Sequence, residues 1–537
     1  MPALFFYLKL IWTMSIKLGS IFVPTLIMKK EILFLLAMAI MYSCTTPKNN
    51  VTIEQHRPLF HFTPPKMWMN DPNGMVYYKG EYHLFYQHFP DSAVWGPMHW
   101  GHAVSKDLMH WQHLPIALYP DSLGYIFSGS AVVDENNTSG FQKGDEKPLV
   151  AIFTYHNIAN EKAKRVDVES QGIAYSNDKG RTWTKYANNP VAKNAGERDF
   201  RDPKVIWHTA SKQWIMTLAV GNHVEFRASK NLKDWSKVGE FGKNAGAHGG
   251  VWECPDLFPL KIEGTAVEKW ILIVNMNPGA PNFGSGTQYF VGTFDGTTFK
   301  NDNAPEETLW VDYGRDNYAG VTWFNAPNNR RLFLGWMSDW SYANKVPTTT
   351  WRSANTIPRE LSLKNTANGA RLFQVPVKEL EILRGTTTEL KGQTLTQSLD
   401  LNASSKCHEL LLNFDLTKTN AKDFGVELSN AKGEKVLIGY ETETKRFYID
   451  RSNSGKKDFE KGFAGKHYAQ REETNTILKM NLVIDVASVE LFTDDGAMAM
   501  TDIFFPTEDF NKITLFSNGG NTQLIGGKTW EIKSASE

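Results

Sequence analysis

The sequence predicts an all-β protein in which a five-bladed β-propeller is followed by a C-terminal β-sandwich. Three observations carry that expectation. From His56 onward, short β-branched and aromatic runs alternate apolar and polar residues, with turn residues at close intervals and almost no helical period. Five hairpin patterns then recur, and the first four are each followed by a second strand pair with its own signature. Ser105-Lys106-Asp107 leads to Trp111, Ser176-Asn177-Asp178 to Trp183, Ser229-Lys230-Asn231 to Trp235, and Thr293-Phe294-Asp295 to Phe299. The interval of roughly 50 to 75 residues suits four-stranded blades, and a sandwich throughout would not produce it. After Arg359-Glu360-Leu361 the pattern stops, and short strands such as His408 to Asp415 and Lys435 to Glu441 fill a region of about 150 residues, the size of a two-sheet sandwich.

Taken in order, the hairpins are Gly74 to Gln87, turning at Lys79-Gly80; Ser130 to His156, with a long turn; Lys204 to Val220, turning near Ala210-Ser211; Asp256 to Met276; and Val321 to Met337, turning at Asn328-Asn329. The propeller is expected over residues 56–375, a linker over 376–385 and the sandwich over 386–537. Upstream, Met28-Lys29-Lys30, the apolar run Ile32 to Met41 and Ser43-Cys44 read as a bacterial signal peptide (28–44) ending at a lipidated cysteine, Cys44. Residues 1–27 read as an upstream mis-start and 45–55 as a polar tether. Ordinary secretion is the alternative; a transmembrane anchor is the blander one, but Lys9, Lys17, Lys29 and Lys30 interrupt the apolar runs before about 18 residues accumulate. The expectation is an exported lipoprotein of the periplasm or outer cell surface, touching a membrane only through its lipid anchor.

Lys plus Arg and Asp plus Glu number 58 each, so the net charge is zero and nothing points to nucleic acid or anionic lipid. Aromatics make up 12% of the chain, which suits strand packing and also stacking on sugar rings. Cys44, Cys254 and Cys407 are the only cysteines, too few to imply a disulfide framework.

The chemistry-bearing residues are three acids at the mouths of three similar units. In Trp68-Met-Asn-Asp-Pro-Asn-Gly74, Pro72 biases Asp71 away from helix while Asn73 and Gly74 supply turn chemistry before an apolar run. Arg201-Asp202-Pro203 repeats the acid-proline step, and Glu253-Cys254-Pro255-Asp256 sets a third acid one residue further back. Taken singly, Asp71 reads as a turn residue, Asp202 as half of an Arg-Asp salt bridge, and Glu253 as a strand-end surface acid. Cys254 reads as a small buried neighbour and Asp256 as a strand-entry acid.

Those three motifs, in that order, resemble glycoside hydrolase family 32, the β-fructosidases. Phe85-Tyr86-Gln87, Trp95 to His102, Phe127-Ser128-Gly129-Ser130 and Gly335-Trp336-Met337 support the likeness, which runs from about His56 to Glu537. Ser285 to Gly292 looks most like the exo-acting levanases and inulinases. The resemblance implies Asp71 as nucleophile, Asp202 as transition-state stabiliser and Glu253 as general acid/base. It further implies substrate contacts from Asn70, Gln87, Trp95, Phe127, Ser128, Arg201 and Trp336, with no metal and no cofactor. His99 and His102 are spaced closely enough for a metal pair, but satisfied core or pocket histidines are the better reading.

Cleavage of a fructofuranosidic bond passes through an oxocarbenium-like state at the ketose C2, so one carboxylate must attack C2 while another acid protonates the leaving oxygen. Carboxyls about 5 to 5.5 Å apart would make the enzyme retaining. Asp71 must be ionised, with Asn70 and Asn73 amides to hold it so. Glu253 must start protonated, its pKa raised by desolvation beside Trp252 and by negative neighbours, and Arg201 would keep Asp202 ionised if the two pair. The implied function is exo-removal of terminal fructose from levan or inulin, with sucrose as a further substrate. An invertase or endo-fructanase is the alternative, and a non-catalytic fructan-binding lipoprotein is the alternative of another class.

Overall fold

The structure, a computed structural model, describes residues 54–194, 196–401 and 405–535. The signal peptide and Cys44 lie outside the described residues. Among those described, the single α-helix is the short Ile158–Lys162, and no helix is long and apolar enough to cross a membrane. The protein is all-β.

Between Met67 and Pro376 the strands form five sheets in chain order, each built largely by antiparallel pairing of consecutive strands. Their first strands are Met67–Tyr78, Tyr125–Val133, Phe200–His208, Val251–Lys261 and Tyr318–Thr322. Each first strand touches the next, and Tyr318–Thr322 closes the circuit against Met67–Tyr78. Closure is fixed by backbone. Trp351–Arg352 pairs parallel with Met67 and Trp68 as an extra strand of the first sheet, and the Tyr77 N–H donates to the Phe324 carbonyl at 2.9 Å.

The recurrent sequence signature has a physical cause. Asp107 Oδ1 accepts the N–H of Met109 (3.0 Å) and His110 (2.8 Å), and the Trp111 indole N–H donates to the Leu108 carbonyl at 2.9 Å. Trp183 closes on the Gly180 carbonyl and Trp235 on that of Leu232, both at 3.0 Å. In the first three occurrences an Asx-type turn satisfied by a side-chain oxygen is thus locked by an indole N–H, an apolar ring with a polar handle; in the fourth, Asp295 makes the turn and Phe299 supplies the ring alone.

Pairing is irregular in every first strand near its N-terminal end. Register shifts fall at Met69/Pro72, Phe127/Gly129, Glu253/Asp256 and Tyr318/Val321, and opposite residues 202–203 at Thr217/Ala219. Asp202 (φ 61°), Cys254 (φ 42°) and Ala319 (φ 52°) sit in the left-handed region. Such bulges break the simple alternation of a strand and re-aim a side chain. The acid-proline steps lie on them because proline cannot donate to a ladder.

After the 3₁₀ turn Lys378–Leu383, two six-stranded sheets pack on one core. Leu410, Leu412 and Phe414 come from the sheet that begins at Arg384–Leu395, and Phe424, Val426, Ile438 and Phe447 come from the other. Buried charges join these sheets to the first five. The Arg359 guanidinium, fully buried, reaches Asp312 at 2.9 Å and Glu490 at 2.5 Å, while Arg451 reaches Asp316 at 2.7 Å. His61 bridges Asp485 (2.8 Å) and Glu490 (2.9 Å). Burial opposes its charge, but the two carboxylates win and push its pKa up to about 9.

Candidate active site

Asp71, Asp202 and Glu253, from the first, third and fourth sheets, line one cavity of about 480 Å³. Cys254 marks how tightly they converge. Its thiol lies 3.6 Å from Asp71 Oδ2 and 3.6 Å from Asp202 Oδ2, and its backbone N–H donates to Asp202 Oδ2 at 3.0 Å. Burial and the Asp202 and Asp71 charges push the thiol pKa well up, so Cys254 stays a neutral spacer.

Asp71 accepts from the Asn70 amide at 2.8 Å on Oδ1 and from the Ser128 hydroxyl at 2.7 Å on Oδ2. Asn70 is itself aimed by the Trp68 indole N–H, 2.7 Å from its Oδ1. The Asn73 amide instead points to the Asp71 backbone carbonyl at 3.4 Å, so Asn70 and Ser128 do the holding.

Glu253 accepts from Arg201 Nε at 3.2 Å and from the Tyr318 hydroxyl. Burial raises its pKa and the Asp71 charge adds to the rise, against Arg201 and the Tyr318 hydrogen bond. Its side chain keeps 23% exposure, so the carboxyl is open to the cavity.

Arg201 does not make the pairing expected of it. Its Nη1 bonds Asp199 at 2.7 Å and both oxygens of Glu169, at 3.1 and 3.2 Å, and its Nε faces Glu253. No hydrogen bond joins it to its neighbour Asp202. Arg201 also lines the cavity, but its guanidinium is taken up by Asp199, Glu169 and Glu253, while the left-handed Asp202 turns its carboxyl onto the Cys254 N–H. Burial therefore dominates, with Glu253 and Asp71 adding to it against the charge of Arg201, and pushes Asp202 up to about 8. The Arg201–Asp202 pairing, on which an ionised Asp202 was conditional, is therefore not made.

Gln87, Trp95, Phe127 and Ser128 also line the cavity. Gln87 is buried, and its amide Nε2 has no protein partner. Phe127 stacks on His156 with centroids 4.2 Å apart and meets Trp95 edge-on. Trp336 is placed otherwise: it is fully buried, packed 4.8 Å from Trp340, and it is Trp340 that lines the cavity. Asn344 joins that wall and accepts the Trp95 backbone N–H at 2.9 Å.

Sequence reasoning missed Tyr318, Glu169, His156, Trp340 and Asn344. Glu169 is buried and accepts from the Phe200 N–H (2.7 Å), His156 (3.1 Å) and Arg201. Burial would raise its pKa, but Arg201 and these hydrogen bonds hold it below the usual carboxylate range. His102 stacks on Phe85 at 4.0 Å and meets His83 at 3.1 Å, while His99 bonds the Pro97 carbonyl, so the two occupy separate satisfied sites. Asp256 pairs with Lys204 at 3.0 Å and caps the Thr322 N–H, a structural role.

Residues 61–376 match the N-terminal domain of glycosyl hydrolases family 32, and residues 379–531 match the C-terminal domain of that family. A levanase of Bacillus subtilis (strain 168) is 50% identical over 500 residues, covering 92% of this chain and 73% of its own length. The crystal structure of exo-inulinase from Aspergillus awamori superposes with a TM-score of 0.84 at 36% identity, covering 90% of this chain and 99% of that one. A fructofuranosidase variant from Schwanniomyces occidentalis, complexed with fructosylnystose, gives 0.82 at 35% identity over 89% and 98% of the two chains. With both domains matched in order and three acids gathered in one pocket, the chain belongs to glycosyl hydrolase family 32 and is a glycoside hydrolase.

Proposed function

We propose that the protein is a retaining β-fructosidase that removes terminal fructofuranosyl units from levan or inulin and also cleaves sucrose. The observation that carries this reading is the convergence of Asp71, Asp202 and Glu253 on one cavity, with Cys254 in contact with both aspartates. Levanase and exo-inulinase relatives support the substrate class.

Asp71, fixed by Asn70 and Ser128, attacks C2 as Glu253 gives its proton to the glycosidic oxygen; the C2–O bond breaks and a fructosyl ester forms on Asp71. Ionised Glu253 then takes a proton from water, which attacks C2 and frees Asp71. Burial and the Asp71 charge favour the acid form needed first, and Arg201 with Tyr318 favours the carboxylate needed second. Ionised Asp202 accepts hydrogen bonds from the sugar hydroxyls, and these strengthen as positive charge grows on the ring. Gln87 offers a free amide donor, and Trp95 and Trp340 offer apolar faces. Trp336 supports Trp340 from beneath.

A single cavity of this volume suits one chain end and its neighbour, hence exo action. The closed succession of first strands supports reading the five sheets as blades of a five-bladed propeller, with residues 56–375 as that domain, 376–385 as linker and 386–537 as a sandwich. Export is part of the same reading, supported by relatives described as extracellular, with lipid attachment at Cys44. Product analysis on levan and inulin is the test: fructose alone early in the reaction supports exo action, and a ladder of oligomers refutes it. Tight fructan binding without release at any pH from about 5 to 8 would overturn the hydrolase in favour of a binding protein.

A further inference from the structure

Phe283 is 82% exposed, the most exposed large apolar side chain among the described residues, and its φ of 68° is one that bulky residues rarely adopt. Both features cost free energy, and neither is relieved by packing. The loop that carries it is built to hold it there. Phe283 donates its N–H to the Ala280 carbonyl at 3.0 Å, and Gly279 closes the loop on the Gly284 carbonyl at 3.0 Å. Asn282 pins the loop from one side, donating to the carbonyls of Tyr313 (2.6 Å) and Tyr468 (2.9 Å) and accepting the Tyr468 N–H at 3.0 Å. Ser285 pins it from the other. Its N–H donates to Asp339 Oδ2 at 2.9 Å and its hydroxyl accepts the Trp340 N–H at 3.2 Å.

The place of the loop follows from register. Glu268–Asn277 runs antiparallel to Val251–Lys261 with Asn275 opposite Glu253 and Asn277 opposite Val251. The connection after Asn277 therefore leaves the sheet at the end where Glu253 sits, and Ser285 fastens it to the backbone of Trp340, a wall of the catalytic cavity. A loop tethered at both sides thus carries a bare aromatic residue at the end of its sheet where Glu253 lies, outside the residues that line the cavity. Such a ring has one chemical use beside a sugar pocket: its face takes the C–H-rich side of a furanose.

The geometry points to Phe283 as a stacking platform for a fructosyl unit on the leaving-group side of a fructan chain, a specificity determinant that favours chains over sucrose. This rests on the fructosidase reading above. Sucrose ends at the glucose that leaves, so it gains little from a platform further out, whereas an inulin or levan oligomer continues across it.

The test is the ratio of kcat/KM on an inulin or levan pentasaccharide to kcat/KM on sucrose, measured for the native protein, Phe283→Ala and Phe283→Trp. Loss of one aromatic stacking contact lowers this ratio about tenfold in Phe283→Ala, mainly by raising KM for the oligomer, and Phe283→Trp restores it. Turnover with a ratio unchanged in Phe283→Ala overturns the platform and leaves the fructosidase intact. No turnover of either substrate by the native protein overturns both.

Discussion

Tyr318→Phe isolates the control that the pocket exerts over its proton donor. The Tyr318 hydroxyl donates to Glu253 Oε2, while Arg201 Nε bonds the other carboxylate oxygen at 3.2 Å. Both contacts favour the ionised form, against burial, which raises the Glu253 pKa. A hydrogen bond to a charged group is worth about 1.5–3 kcal/mol, so losing the hydroxyl disfavours the carboxylate by an energy of that order and raises the Glu253 pKa. Arg201 remains after the substitution and the carboxyl keeps some contact with water, which moderates the rise. The sign is fixed by role. Glu253 must be protonated in the free enzyme, so the alkaline limb of kcat/KM reports its pKa, and removing a donor to the carboxylate moves that limb upward. Tyr318 is fully buried and phenylalanine fills nearly the same volume, so the fold is retained. The assay is a pH profile of kcat/KM on sucrose from about pH 4 to 9. A limb that stays in place, or moves downward, refutes the assignment of Glu253 as the acid.

Other perturbations probe other parts. Glu169→Gln removes the counter-charge from Arg201 and lets its field act more fully on Glu253, so the same alkaline limb moves to lower pH, the reverse of Tyr318→Phe. Ser128→Ala takes away the 2.7 Å hydrogen bond that orients Asp71, and kcat falls by about 10- to 100-fold with little change in KM. Arg359→Met leaves Asp312 and Glu490 buried without their cation and destabilises the protein by about 3–5 kcal/mol, read from urea unfolding. His61 has a folded pKa of about 9 against 6.5 unfolded, so its charge stabilises the fold fully below about pH 6.5. As pH rises to about 9 roughly 3 kcal/mol is lost, a slope that His61→Gln flattens in unfolding measurements.

What could be read from the sequence was local. Lys79-Gly80 turns the first hairpin because both residues adopt positive φ, and the Asp107-to-Trp111 step recurs because its hydrogen bonds close within five residues. Asp71, Asp202 and Glu253 stood out because each has a proline within two residues, and those prolines mark the bulges that turn the acids inward. Tyr318 and Glu169 carry no such mark: their partners lie 65 and 32 residues away, and only the succession of sheets brings them together. Arg201 was matched to Asp202 by adjacency alone, whereas its guanidinium is taken by Asp199 and by Glu169 and Glu253, 32 and 52 residues away. Trp336 was marked by the Gly335-Trp336-Met337 motif, whereas Trp340 carried no mark. The first sits inside the strand Arg331–Met337 and is absorbed by its core, while the second lies just past the strand end, where the chain turns over the pocket.

The stereochemistry of fructosyl transfer tests the catalytic arrangement most directly. With methanol as acceptor and sucrose as donor, attack by Asp71 followed by entry of methanol on the face it vacates gives methyl β-fructofuranoside, and Asp71→Asn gives no product. Methyl α-fructofuranoside as the first-formed product, or undiminished transfer by Asp71→Asn, would contradict a covalent intermediate on Asp71.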